Sequence, residues 1–223
     1  MGGRVYTRAS VADLPFEPAS GELIGRLLGS LDVEGKVPRA IEALGPVGGR
    51  DVVLLGGGRT RARQLEELGA RVIPMGDWAG RIDLPDDSAD VIVSFWSGFR
   101  TASIDELQEA DRVLRNDGRL LVVHDYGRDD VSRLRGDLPE YGTWSRRNGW
   151  FLKNGFRIRV VHCFWTFDSM DAAGSFLVDT FGPVGSAVVE TLKRPRLTYN
   201  IAIYHRAKGG GRANAATHGA TAG

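Results

Sequence analysis

The stretch DVVLLGGGRTRARQLEELGARVIPMGD, residues 51–77, decides the fold. Residues 51–55 (DVVLL) form a short β-branched, apolar run, which suits a central strand buried on both faces. Gly56, Gly57 and Gly58 follow, and then Ala62, Leu65 and Leu68 recur at helical spacing until Gly69 supplies a stop. RVIPM (71–75) reads as a second strand, in which Pro74 cannot donate a ladder hydrogen bond and points to an edge or an early end. Where a buried strand hands over to a helix, an open α/β sheet binds ligands, because the fresh helix offers unpaired N–H groups. The plain alternative is that the three glycines only make a tight turn.

Outward from this stretch, strand-like and helix-like segments keep alternating. DVIVSFW (90–96) reads as another buried strand. IDELQEADRVL (104–114) carries an apolar stripe of Leu107, Ala110, Val113 and Leu114, and Asn116, Asp117 and Gly118 then turn the chain into the strand RLLVVHDY (119–126). Strand, helix, strand, helix, strand is most simply satisfied by parallel crossovers. The last third differs: a helix is predicted over about 143–153, a long strand over 156–167, a helical region over 170–193 broken at Gly182 and Pro183, and a final strand over 196–206. Two long strands around a helical insertion predict an antiparallel pair at one sheet edge. Residues 1–45, with the amphipathic segments ELIGRLLGSL and PRAIEAL, are expected to form an N-terminal helical segment, 46–208 the α/β domain, and 209–223 a disordered tail with nothing to bury.

Composition narrows the function classes. The chain has 223 residues, 42% of them hydrophobic and 26% charged, enough to bury a sizeable core. A formal net charge of +1 without long like-charge runs gives no electrostatic footprint for nucleic acid or an anionic membrane. No run approaches the roughly 18 apolar residues of a membrane span, and MGGRVYTRAS lacks the apolar core of a signal peptide. Gly2 fails the myristoylation pattern because Tyr6 stands where Ser or Thr is required. A single cysteine, Cys163, excludes an internal disulfide and a cysteine-only zinc site, so a cytoplasmic location is expected. Within FRIRVVHCFWTF it reads as a small buried hydrophobe rather than a nucleophile. His162, in the same run, reads as structural.

A dinucleotide fingerprint beginning at Gly56 needs glycine at 61, where Arg61 stands, and one beginning at Gly57 fails at Arg59, so NAD is disfavoured. From about residue 35 to 126 the chain instead resembles the class I S-adenosylmethionine-dependent methyltransferases of the small-molecule type. VVLLGGGRT (52–60) is similar to their first motif, LPDDSADVIVSFW (84–96) to their fourth-strand motif, and LQEADRVLRNDGRLLVVHDYG (107–127) to their helix, glycine turn and fifth strand. NGFRIRVV and YNIAIYHR resemble their antiparallel sixth and seventh strands. There are departures. Leu54 stands where the family has an acidic residue, Thr60 replaces the third glycine, and Gly76 occupies the ribose carboxylate's place, with Asp77 one residue late. Only WAGRI separates Asp77 from the fourth-strand motif, so the third strand is expected to be missing from a doubly wound, Rossmann-like, mostly parallel sheet.

The resemblance implies S-adenosylmethionine as cofactor, held by Gly56, Gly57 and Gly58, with Asp77 as ribose ligand and Trp78 as adenine platform. Asp77 is equally explained as a surface turn residue. Asp83 or Asp87 fits an acceptor for the adenine amino group, or a solvated turn. Trp96 to Arg100 leave the end of their strand where substrate and methyl donor would meet, while Trp96 alone also fits core packing. His124, Asp125 and Tyr126 lie at the C-terminal end of a strand, and a histidine there can take a proton as a methyl group arrives, or can simply be hydrogen-bonded in a loop. No metal ligand set is visible. Arg59, Arg61 and Arg63 occupy the first turns of a helix, where their charge opposes the helix dipole; an anion-contacting role and simple solvation both fit. The functional expectation is methyl transfer to a small molecule, with the segment Tyr141 to Trp150 shaping the acceptor pocket. The alternative is a non-catalytic binding or regulatory subunit. A homo-oligomer or a partner subunit is left open.

Overall fold

The computed structural model describes residues 14–56, 58–75, 78, 80–101, 103–136, 138 and 140–210. Two helices open the chain, α1 (Gly21–Ser30) and α2 (Lys36–Leu44). The glycine stretch follows as β1 (Asp51–Leu55), α3 (Arg59–Glu67) and β2 (Arg71–Met75). Then come β3 (Ala89–Phe95), α4 (Ile104–Val113), β4 (Leu114–Asp125) and the short α5 (Asp130–Arg135). The last third is α6 (Trp150–Lys153), β5 (Arg157–Thr166), α7 (Met170–Phe181), α8 (Pro183–Val189) and β6 (Arg196–Ala207).

The strands make one six-stranded sheet in the order β2-β1-β3-β4-β6-β5. β2, β1, β3 and β4 run parallel, and β6 and β5 join antiparallel, so the expected antiparallel edge pair is present. Pro74 lies in β2, which is an outer strand among the described residues; no strand stands beyond it. Alternation along the strands sends the sheet's apolar residues to two cores. Val52, Leu54, Val91, Val93, Leu121 and Val123 face a cluster with Leu27, Ile41, Leu65 and Phe176, from α1, α2, α3 and α7. Val53, Leu55, Ile92, Leu120 and Val122 face Leu107, Ala110 and Phe151, from α4 and α6. Helices on both faces and fully apolar central strands are the doubly wound α/β architecture.

Three details differ from the sequence expectation. Residues 116–118 are not a plain turn before a strand: β4 already begins at Leu114, pairs with Ala89, and then jumps so that Arg119 pairs with Val91. The extra residues bulge out of the ladder. The helix expected from 143 starts only at Trp150, because Gly149 packs against the preceding turn; a Cβ there would stand 2.5 Å from the Trp144 carbonyl oxygen. His162 is exposed rather than held in the apolar run, its Nδ1 2.7 Å from Asn200 Oδ1. Cys163 is buried as expected, which pushes its thiol pKa up. At the far edge, Leu31 forms a bridge to Trp165 and the Asp32 N–H donates to the Phe164 carbonyl at 3.2 Å. The expected tail lies, from 211 onward, outside the described residues.

Candidate functional site

All four parallel strands end on one edge, at Leu55, Met75, Phe95 and Asp125. The glycine turn leaves that edge first. Gly56 has φ +64°, a left-handed conformation, and a Cβ on it would stand 1.9 Å from Ser97 Oγ and 2.2 Å from Ser97 Cβ. Ser97 Oγ donates to the Leu55 carbonyl at 3.3 Å. Glycine at 56 is therefore required twice over, by its backbone angle and by the loop after β3 pressed into the turn. Gly58 is the N-cap of α3 with extended backbone. Gly57 and Asp77 lie outside the described residues.

The loop after β3 is the strained part of the edge. Trp96 (φ +47°) and Phe99 (φ +65°) both hold left-handed backbone, which bulky residues rarely adopt. Trp96 is buried, and its Nε1 donates to Asp125 Oδ1 at 3.0 Å. Gly98 donates its N–H to Ser94 Oγ at 3.0 Å, and a Cβ on it would stand 3.2 Å from the Trp78 ring. Trp78 thus covers this loop: it stacks on Phe99 with ring centroids 5.9 Å apart, and its Nε1 donates to Glu106 at 2.7 Å.

Asp83 is exposed, in a turn that α4 clamps. Arg112 donates to the carbonyls of Ile82 and Leu84, both at 2.9 Å, while Glu109 accepts from the Ile82 N–H at 2.8 Å. Asp87 belongs elsewhere: it precedes the start of β3, at the opposite edge, with Lys208 Nζ 2.5 Å from its Oδ1. That removes it as a partner for a ligand at the strand ends.

His124 and Asp125 are neighbours on β4 and so point to opposite faces. They do not form a dyad. His124 is wholly buried against Trp144, with ring centroids 4.8 Å apart, and its Nε2 lies 3.1 Å from the Gly98 carbonyl oxygen. A carbonyl can only accept, so Nε2 carries the proton and Nδ1 presents a bare lone pair with no hydrogen-bond partner among the described residues. Burial, aided by the nearby Arg100 charge, pushes this imidazole down to about 3, so it is neutral at physiological pH. On the other face Asp125 accepts from Trp96, Tyr199 Oη and Arg135, and Arg135 in turn donates to the Pro15 carbonyl at 3.1 Å and lies over the Phe16 ring. Burial outweighs these partners and raises the Asp125 carboxyl above its ordinary value. Tyr126 is half-buried beyond the strand end, with the Arg128 guanidinium over its ring at 5.7 Å.

The sequence did not reveal three features of this edge. Arg61, for which solvation or an anion contact was expected, is buried, its guanidinium 5.4 Å from the ring centroids of both Phe95 and Trp96. Glu140 is buried in an ion pair with Arg100, its second oxygen without a hydrogen-bond partner among the described residues. Tyr141 packs on Gly127, where a Cβ would stand 2.8 Å from its ring. An odd Arg or Glu within an aromatic-rich segment such as 140–151 is the only trace of this in the sequence. Among the described residues, no group of three or more His, Cys, Asp or Glu is placed to hold a metal ion.

No protein-family model matches the chain, and no curated protein matches it. Solved structures do. A protein of Anabaena variabilis, classed as a candidate methyltransferase from an antibiotic biosynthesis pathway, superposes with a TM-score of 0.51 at 13% identity, covering 81% of this chain and 99% of that one. A candidate type II methyltransferase of Anaeromyxobacter dehalogenans gives 0.49 at 20% identity, covering 76% and 95%. A candidate methyltransferase of Bacillus halodurans gives 0.45 at 14% identity, covering 77% and 98%. The Anabaena likeness places the six-stranded sheet of this chain in the Rossmann-like α/β fold of that protein.

Proposed function

We propose that the chain transfers a methyl group from S-adenosylmethionine to a small-molecule acceptor. The observation that supports this reading is the convergence, at one edge of a methyltransferase-like sheet, of the glycine turn, the strained loop 96–100 and the end of β4. The cofactor, when bound, supplies an already activated methyl, so the protein's task is alignment rather than covalent help. Backbone N–H groups of Gly56 to Gly58 and the first turn of α3 would hold its polar parts, with Asp77 as ribose ligand. Trp78 would wall the adenine side, with Asp83 at the adenine amino group, and Trp96 would line the methyl-bearing end. His124, neutral and presenting Nδ1, has the protonation state of a base, and Asp125 fixes Trp96 through its indole N–H. Tyr126 stands at the exit towards the acceptor.

A second reading has its own observation. The Arg61 guanidinium lies against Phe95 and Trp96, and Ser97 fills the concavity of the glycine turn, so the chain's own side chains occupy ground that the cofactor would cover. That favours a non-catalytic binding or regulatory subunit. Titration calorimetry with S-adenosylmethionine and S-adenosylhomocysteine, with NADH and NADPH as controls, decides between the two. Micromolar binding of the first pair, lost in Asp77→Ala and Gly58→Val, is the expected result. Silence from all four with a folded protein refutes the enzyme reading.

A further inference from the structure

A second concavity opens beyond the same sheet edge, at its antiparallel end. It has a volume of about 310 Å³ and lies where the segment after α8 enters β6, against Phe164 near the end of β5. That volume is at the lower end for small-molecule pockets. Its floor is apolar, made by Val188, Leu192, Leu197 and the Phe164 ring. Its rim is cationic: Lys193, Arg194 and Arg196 are all exposed there.

The charge balance of this cleft is one-sided. Among the described residues, Lys193, Arg194 and Arg196 have no carboxylate within ion-pair distance, and Arg196 is held by the face of Phe164, 4.4 Å from its centroid. Asp130 is the carboxylate in the lining, and its capacity is already used. Its Oδ2 accepts from the Thr198 N–H at 2.9 Å and the Thr198 hydroxyl at 2.7 Å, while its Oδ1 pairs with Arg133. Glu34, across Phe164, is bound to Lys36 at 2.7 Å and feels the Arg196 charge only at longer range, and Glu190, at the end of α8, is exposed and outside the lining. Three cations therefore rim a hollow with an apolar floor, and the one carboxylate in its lining is already engaged by Thr198 and Arg133. A long cationic side chain without a counter-ion beside an apolar floor suits a ligand with an apolar body and an acidic head.

We propose that this cleft binds a small organic anion, its acidic group at Lys193 and Arg194 and its apolar body on Val188, Leu192 and Leu197. The site is separate from the glycine turn and needs no S-adenosylmethionine, so it stands or falls independently of the methyl-transfer reading.

The test uses the full chain without cofactor and three probes of one skeleton: phenyl phosphate, benzoate and benzyl alcohol, followed by calorimetry and by amide chemical shifts. Both anions are expected to bind and to shift resonances of residues 188–198, with benzyl alcohol at least about tenfold weaker. The double variant Lys193→Ala/Arg194→Ala, at exposed positions that leave the core untouched, should weaken phenyl phosphate by about tenfold or more, and Leu192→Ala should weaken the aromatic anions relative to inorganic phosphate. Equal binding of benzyl alcohol, or unchanged affinity in the double variant, overturns the proposal. So does tighter binding of duplex DNA or anionic vesicles than of phenyl phosphate at the same residues, since either makes the patch a polyanion surface.

Discussion

Replacing Gly56 by alanine tests the turn at the head of α3 most directly. The new methyl would force left-handed backbone on an L-residue, about 1 kcal/mol. It would stand 1.9 Å from Ser97 Oγ and 2.2 Å from Ser97 Cβ. The hydroxyl can rotate away, losing its bond to Leu55, about 1 kcal/mol. The Cβ cannot, because its place is set by the backbone of a loop already strained at Trp96 and Phe99, and overpacking of this kind costs about 1–3 kcal/mol. The total is about 3–5 kcal/mol, or roughly 10 °C in Tm for a chain of this size. Adding Ser97→Gly to Gly56→Ala removes the overlap but not the backbone term, so about 2 kcal/mol should return. The assay is a double-mutant cycle by urea unfolding. If the two substitutions add within about 0.5 kcal/mol, the contact on which this account of the edge rests is wrong.

Three other predictions concern buried and half-buried titratable groups. Arg112, aided by the Ile82 N–H, holds the Glu109 carboxyl down from 4.5 to about 2, so the unfolded chain takes up the proton first as pH falls. The stabilisation is complete above about pH 5 and is lost between there and pH 2; discounted for solvent screening, Glu109→Gln should cost about 1–2 kcal/mol at pH 7 and nothing near pH 2, and parallel Tm profiles of the two proteins would refute it. His124 should show no titration of its ring resonances by NMR between pH 9 and 5, and a midpoint above 5 would contradict its burial. Below about pH 6.5 the unfolded chain binds a proton that folded His124 refuses, so this residue's share of stability should fall by about 1.4 kcal/mol per pH unit until about pH 3, a slope that His124→Phe should lack. Asp125→Asn leaves Arg135 buried without its counter-ion and should cost about 3–5 kcal/mol by urea unfolding, against about 1 kcal/mol for Tyr199→Phe.

The strands were legible as short β-branched runs, buried on both faces in β1 and half-exposed at the margin in β2. Residues 51–55 and 71–75 form β1 and β2 over those same residues, and Pro74 announced an outer strand. Gly182 and Pro183 likewise marked the break between α7 and α8. The segment after Tyr141 reads in sequence as a helix from about 143, whereas close packing at Gly149 delays the helix to Trp150. The site was less legible, since its defining contacts join residues far apart in sequence. Nothing local marks that Ser97 needs Gly56 bare, or that Arg135 reaches Asp125 and Pro15 together. Periodicity in β4 did carry one usable signal: adjacent strand residues cannot share a face, so His124 and Asp125 were never able to act as a pair.

The bridge from Leu31 to Trp165 bears on how much of the sheet's outer margin is open to a further strand. β5 is the outer strand of a ten-residue ladder, and such a margin recruits strands from other chains unless something blunts it. Leu31 and Asp32 occupy part of that margin, and the short, proline-bearing β2 guards the opposite one. The helices before the sheet therefore act as a fender as well as a wall of the core. A chain beginning at residue 36 should lose solubility by edge-to-edge association, read as a rise in light scattering, through the stretch of β5 that Leu31 and Asp32 cover.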